Sequence, residues 1–175
     1  VPVETKSRDR DDYILHPESG EQPSDATLAT LQDLRKRHAG QFDVQIVISD
    51  GLNALSIMDD GHLAAFLTRV RSGLRKAGFK PAPENIVVTS GRVRAGYRTG
   101  ETLFAKLPGR RAILHVIGER PGTGHHTFST YITSPAVGVW GTPGKVDHNI
   151  TRVVSGIALT ALKPEAGADA VVRIR

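Results

Sequence analysis

Three short apolar runs, each closing on a polar turn that contains glycine, constrain the fold more than any other feature of the chain. Val44-Gln45-Ile46-Val47-Ile48 ends in Ser49-Asp50-Gly51, and Ile86-Val87-Val88 leads into Ser90-Gly91-Arg92. Ala112-Ile113-Leu114-His115-Val116-Ile117 runs into Gly118-Glu119-Arg120-Pro121-Gly122. Apolar β-branched runs without alternation suit strands buried on both faces. Helical patterns precede or follow each run. Leu28, Leu31 and Leu34 form a stripe with Ser24 or Asp25 as N-cap and Gly40 as the stop. Leu63, Phe66, Leu67, Val70 and Leu74 mark an amphipathic helix from His62 to Ala77, closed by Gly78, and Thr99 reads as the N-cap of a short helix reaching Lys106. Strand and helix in alternation predict an α/β fold, a Rossmann-like open, mainly parallel sheet with helices on both faces. Right-handed crossovers then gather the three glycine-bearing turns at one edge, where open α/β sheets bind ligands.

Outside this frame the signals thin out. Tyr131-Ile132-Thr133 reads as a further strand, residues 137–145 as a Gly/Pro loop carrying Trp140, and the stretch from Ile150 onward as apolar but open between strand and helix. Residues 1–23 are crowded with charges and turn formers, as in Lys6-Ser7-Arg8-Asp9-Arg10-Asp11-Asp12, and are expected as an arm or linker before a single α/β domain over 24–175. The opening Val1 suits a fragment, a processed product or the tail of a fused polypeptide. With 175 residues, 39% of them hydrophobic and 23% charged, the chain can build one ordinary core. No apolar run approaches the roughly 18 residues of a spanning helix, and no signal-like segment opens the chain, so a soluble cytoplasmic domain without a membrane partner is expected. Zero cysteines remove disulfides, thiolate metal sites and cysteine nucleophiles. The formal charge of +5 would suit an anionic partner. Its cations, however, are mixed with acids and lack interleaved aromatics, so nucleic acid is not the expected partner.

The turns offer candidate chemistry. In Gly118 to Gly122 the glycines allow close backbone approach, Pro121 stiffens the turn, and Glu119 can accept hydrogen bonds. A plain strand-to-loop turn with a surface Glu119 and Arg120 pair is the competing reading. Asp50-Gly51-Leu52-Asn53 suits either an anion- or ribose-binding turn or an ordinary one. Gly-x-Gly-x-x-Gly and the P-loop pattern are both absent. His125-His126 with Asp147-His148 has the residue types of a metal site but lacks helical i, i+4 spacing, and no metal ligand is assigned. No Gly-x-Ser-x-Gly elbow exists for serine hydrolysis, and Ser155 before Gly156 is a weak substitute. Seven basic residues from Arg92 to Arg120 suit either a phosphate-bearing ligand or solvated helix and loop faces.

Taken together, Val44 to Leu52, Gly91-Arg92-Val93 and Ile117-Gly118-Glu119-Arg120-Pro121-Gly122 resemble, in order and spacing, the small subunit of ethanolamine ammonia-lyase. The resemblance begins at Tyr13-Ile14-Leu15-His16-Pro17-Glu18-Ser19-Gly20, similar to that family's Tyr-Leu-x-Arg-Pro-Asp-x-Gly, and runs to the C-terminus. Thr99-Gly100-Glu101-Thr102-Leu103 is similar to the family's Ile-Gly-Glu-Ile-Leu. The resemblance implies a non-catalytic, cofactor-binding subunit. With the large subunit, as a hetero-oligomer or a fused chain, it would convert ethanolamine to acetaldehyde and ammonia using adenosylcobalamin. It also implies a cytoplasmic setting, with a bacterial microcompartment as a further one. By its motifs, Val93 and Glu119 match cobalamin-contacting positions, and Val153 in Thr151-Arg152-Val153-Val154-Ser155-Gly156-Ile157 matches a third, where the family has cysteine. The chain departs from the family by lacking the usual helical N-terminal region, by extra residues around Leu107 to Arg111, and by Thr123 to Ser129 after the glycine loop. A stand-alone α/β module for a phosphate-bearing small molecule is the alternative.

Overall fold

The computed structural model describes residues 1–38, 40–58, 61–118, 126–142 and 144–174. In chain order the elements are β1 (Pro2–Glu4), α1 (Arg10–Leu15), α2 (Asp25–His38), β2 (Val44–Ser49), α3 (Leu55–Met58), α4 (His62–Lys76), β3 (Ile86–Thr89), α5 (Val93–Phe104), β4 (Ala112–Gly118), β5 (Phe128–Thr133), β6 (Thr151–Ile157) and α6 (Pro164–Arg173). They form an α/β fold around one six-stranded sheet of order β1-β3-β2-β4-β5-β6.

The sheet is mixed. Pairings β1 with β3, β3 with β2 and β2 with β4 are parallel, whereas β4 with β5 and β5 with β6 are antiparallel. Linker length explains the change of direction. Only residues 119–127 separate β4 from β5, too few for the crossover of about a dozen residues that a parallel neighbour needs. The stretch expected as open between strand and helix resolves into both, β6 followed by α6 with Pro164 at its start.

Two apolar clusters sandwich the sheet. On one face Phe66, Val70 and Leu74 of α4 and Ala168 and Val171 of α6 meet Val44, Ile46, Ile48, Leu114 and Val116. On the other, Leu31 and Leu34 of α2 and Ala95, Leu103 and Phe104 of α5 meet Val47, Ile86, Val88 and Ile113. Each fully buried Phe or Leu here contributes about 1.5–3 kcal/mol of transfer free energy. Ser24 caps α2 as expected, its Oγ accepting from the Thr27 N–H at 3.1 Å.

The first 23 residues, expected as an arm or linker, supply β1 and α1. Three strand residues and one buried aromatic, Tyr13, leave too short a periodic trace to read in sequence. The outward-facing main-chain groups of β1 belong to Pro2, which has no N–H, and Glu4, whose N–H donates to Thr27 Oγ1 at 2.9 Å and whose carbonyl accepts from that hydroxyl at 2.7 Å.

α5 starts at Val93, six positions before the expected N-cap Thr99, and ends at Phe104. Thr99 Oγ1 instead donates to the Ala95 carbonyl, at 2.8 Å, inside the helix. The expected helix already included Gly100 but not Gly96, and glycine within a helix costs roughly 0.5–1 kcal/mol relative to alanine. Their absent side chains are what lets the helix lie against β4. A Cβ on Gly96 would stand 2.5 Å from His115 Nδ1, and one on Gly100 would come within 2.8 Å of the Ile113 side chain and overlap the Trp140 ring. Gly100→Ala is therefore expected to lower stability by about 1–3 kcal/mol in urea unfolding, against the gain that helix propensity alone would give.

Candidate functional site

The C-terminal ends of β2, β3 and β4 lie at one edge of the sheet, and with them the turns Asp50-Gly51 and Ser90-Gly91-Arg92 and the last strand residue Gly118. Asp50 joins the two turns. Its carboxylate accepts from the N–H groups of Ser90 at 2.9 Å, Gly91 at 2.9 Å and its own neighbour Gly51 at 3.0 Å. Ser90 sits in the left-handed region at φ 56°, a conformation that costs a non-glycine residue about 1 kcal/mol. It is held there by Asp50 and by Thr5, whose hydroxyl donates to the Ser90 carbonyl at 2.9 Å. Tyr13 closes the arrangement from α1, its hydroxyl donating to the Gly51 carbonyl at 2.5 Å. Burial, with Asp50 nearby, pushes the phenol above its usual pKa, which keeps it a donor.

The third turn meets the first through two glycines. At Gly51 (φ 57°) a Cβ would overlap the Gly118 carbonyl oxygen, and at Gly118 a Cβ would overlap the carbonyl of Asn53. The Asn53 N–H donates to the Gly118 carbonyl at 3.3 Å, so β4 ends in main-chain contact with the turn after β2. The loop that leaves Gly118, including Glu119, lies outside the described residues.

Beneath these turns lies a buried hydrogen-bonded pair. His115 is 1% exposed in the middle of β4; its Nε2 is 2.6 Å from Ser49 Oγ and its Nδ1 3.2 Å from the Val93 carbonyl oxygen. A carbonyl only accepts, so Nδ1 carries the proton and Nε2 takes the serine hydroxyl proton as a hydrogen bond. Burial drives the imidazole pKa down to about 4, the Val93 carbonyl opposing this only in part. The contact has the form of a nucleophile–base pair. Both members are buried, however, and a carbonyl stands where such a pair needs an orienting carboxylate, so it serves as structure.

His115, Tyr131 and Val153 are register partners across β4, β5 and β6, and so point to one face of the sheet. α5 covers the His115 end of that row, leaving Val153 46% exposed at the other. Val93, the first residue of α5, is half-buried. His115 and Val153 stand two strand spacings, roughly 10 Å, apart, and Val93 joins the His115 end of that face through its carbonyl.

Residues without a sequence motif complete this face. Tyr97 OH lies 3.0 Å from His148 Nδ1, and the His148 ring stands 6.3 Å from that of Tyr131. Arg94 bridges Glu21 at 3.1 Å and Asp147 at 3.2 Å, which offsets the cost of a cation in the first turn of a helix. The His148 N–H and Arg94 hold the Asp147 carboxyl below its usual pKa. Asp147 and His148 are therefore engaged with Arg94 and Tyr97; His125 lies outside the described residues, and among the described residues no metal-binding cluster forms.

Comparison with known proteins identifies the chain's relatives. The family model for the ethanolamine ammonia-lyase light chain (EutC) matches residues 1–175. The chain belongs to the ethanolamine ammonia-lyase light-chain family. Among its relatives, an ethanolamine ammonia-lyase small subunit of Pseudomonas syringae pv. tomato is 33% identical over 141 residues, 79% of this chain and 46% of the relative. One from Ralstonia nicotianae is 32% identical over 163 residues, 92% of this chain and 57% of the relative. The chain spans about half the length of the curated relatives it matches. Of the positions that this light-chain family led us to single out, Val93 and Val153 lie on the common face.

The buried imidazole makes stability depend on pH. In the unfolded chain His115 titrates near 6.5 and in the fold near 4, so the unfolded state takes the proton first as pH falls. Its stabilising contribution is complete above pH 6.5 and is lost progressively toward pH 4, by about 2 kcal/mol at pH 5. Urea unfolding at pH 7 and pH 5 is expected to show a smaller drop for His115→Asn than for the wild type.

Proposed function

We propose that this chain is the cofactor-holding small-subunit portion of an ethanolamine ammonia-lyase, helping to seat adenosylcobalamin while a large partner subunit, separate or fused, carries the conversion of ethanolamine to acetaldehyde and ammonia. The observation that carries this reading is the shared face of Val93 and Val153, two family-matched positions. Glu119 is proposed as the third contact, from the loop that follows Gly118. We read the parallel half of the sheet, β1-β3-β2-β4, as its Rossmann-like part; Val93 and Glu119 follow the ends of β3 and β4 in the chain, while Val153 lies on the antiparallel half.

The chemistry of the face fits a corrin. Such a ligand presents broad apolar faces and a rim of amides, which calls for exposed apolar side chains beside hydrogen-bonding groups. Val153 supplies the first, and Val93 at the start of α5 is half-buried at the His115 end of the same face. Tyr131 and His148 bring a hydroxyl and an imidazole to the same side, with Tyr97 buried beneath and hydrogen-bonded to His148. When bound, adenosylcobalamin supplies radical chemistry, and the protein's share is to bind, orient and exclude. We assign this chain no general acid, base or nucleophile. The proposed setting is the cytoplasm or a bacterial microcompartment.

The alternative of a phosphate-binding module gains no support from the same geometry. A phosphate would need the free amides ahead of α5. Those of Ser90 and Gly91 are given to Asp50, and that of Arg92 to the Gly20 carbonyl at 2.8 Å.

The test is co-purification with the large subunit, followed by absorbance titration with cobalamin and an acetaldehyde-release assay. Val153→Asp, which puts a charge on an exposed apolar position, and Glu119→Ala are each expected to weaken cobalamin retention about tenfold, some 1.4 kcal/mol, without unfolding the domain. Unchanged affinity in both would sink the proposed site.

A further inference from the structure

We propose that His115 is a positioning residue for the cofactor site, holding the first turn of α5, and with it Val93, through a buried Ser49–His115–Val93 relay. This rests on the reading of Val93 as a cofactor contact. A polar side chain in the middle of an otherwise apolar strand costs desolvation that a valine would not. What the imidazole adds is direction, because its two nitrogens sit on opposite sides of the ring and fix two elements at once. Nε2 takes the Ser49 hydroxyl from the end of β2 at 2.6 Å, and Nδ1 faces the Val93 carbonyl at 3.2 Å.

The surroundings are shaped to keep the ring in this one orientation. Gly96 lies over it, where a Cβ would stand 2.5 Å from Nδ1. Gly91 lies against Ser49, where a Cβ would stand 2.8 Å from the serine Cβ. Neither glycine at 91 nor that at 96 has a positive φ, so close approach rather than backbone conformation is what requires them. The Arg92–Val93 step is consequently clamped on both sides: Asp50 takes the two amides before it, and His115 takes the carbonyl at its end. His115 also heads the row that runs through Tyr131 to Val153. One ring therefore sets the position of α5 relative to the strand that carries the second candidate contact.

The experiment uses the full chain assembled with its large subunit and measures cobalamin dissociation constants by absorbance for wild type, His115→Leu, His115→Asn, Gly96→Ala and Val93→Trp, with thermal unfolding of each complex alongside. Asparagine returns an N–H near the place of Nδ1; leucine fills the space without it. The expected result is a roughly tenfold loss of affinity in His115→Leu, the size of one buried hydrogen bond, with most of it regained in His115→Asn. Gly96→Ala, which displaces the ring while leaving its chemistry intact, is expected to weaken binding as well and serves if the leucine variant does not assemble. Wild-type affinity in a folded His115→Leu or Gly96→Ala complex overturns the proposal. Equal losses in the leucine and asparagine variants also overturn it, since packing alone would then explain them. Unchanged affinity in Val93→Trp removes Val93 from the site and the ground for the relay with it; a weakened Val93→Trp beside an unaffected His115→Leu leaves the site standing and ends only the relay.

Discussion

A carboxylate at the end of a buried strand organises the edge of the sheet where the parallel strands end. Asp50 accepts three main-chain N–H groups from two turns, and charge-assisted bonds of this kind are about twice as strong as neutral ones. Remove it, and the left-handed Ser90, the amides ahead of α5 and the glycine turn under Tyr13 lose their common acceptor. The glycine contact between the turn after β2 and the end of β4 adds the third strand to the same unit. An edge that in many α/β proteins receives an anion here carries its own, and on the neighbouring face the charges of Arg94, Glu21 and Asp147 are paired with one another.

Much of this was legible in the sequence. The three apolar runs are β2, β3 and β4, which pair in parallel so that their C-terminal ends lie at one edge. The Leu28 and Phe66 stripes are α2 and α4. Elsewhere tertiary packing overrode local signals. Gly96 obscured the start of α5 because glycine weakens a helical pattern, and only the proximity of His115 explains why glycine stands there. The antiparallel β5 and β6 reverse the sheet because of a short connection, a matter of chain length rather than of residue type.

The candidate site divides in the same way. Val93 and Val153, chosen by resemblance to a family, fall on one face, while Glu119 lies outside the described residues. Ser49 and His115 carried no motif. The one available signal was a histidine inside an apolar strand run, Ile113 to Ile117, where a polar group has to find partners. Which partners it finds is a property of the sheet register and of where α5 begins, neither of which was available from sequence. Arg94, Tyr97 and His148 likewise acquire meaning only when α5 and the segment before β6 are brought together.

The sealed flank of β1 bears on how copies of this protein meet one another. A strand at the end of a sheet normally presents a ladder of free amides and carbonyls that recruits foreign strands, a common route to aggregation. Pro2 offers no amide to such a ladder, and Thr27 occupies both groups of Glu4 with a single hydroxyl. Sheet-to-sheet growth by main-chain pairing therefore finds a poor template at β1, and among the described strands the other end of the sheet is β6, where Arg152 and Ser155 stand exposed. A threonine on α2 thereby limits the directions in which crowded copies can associate.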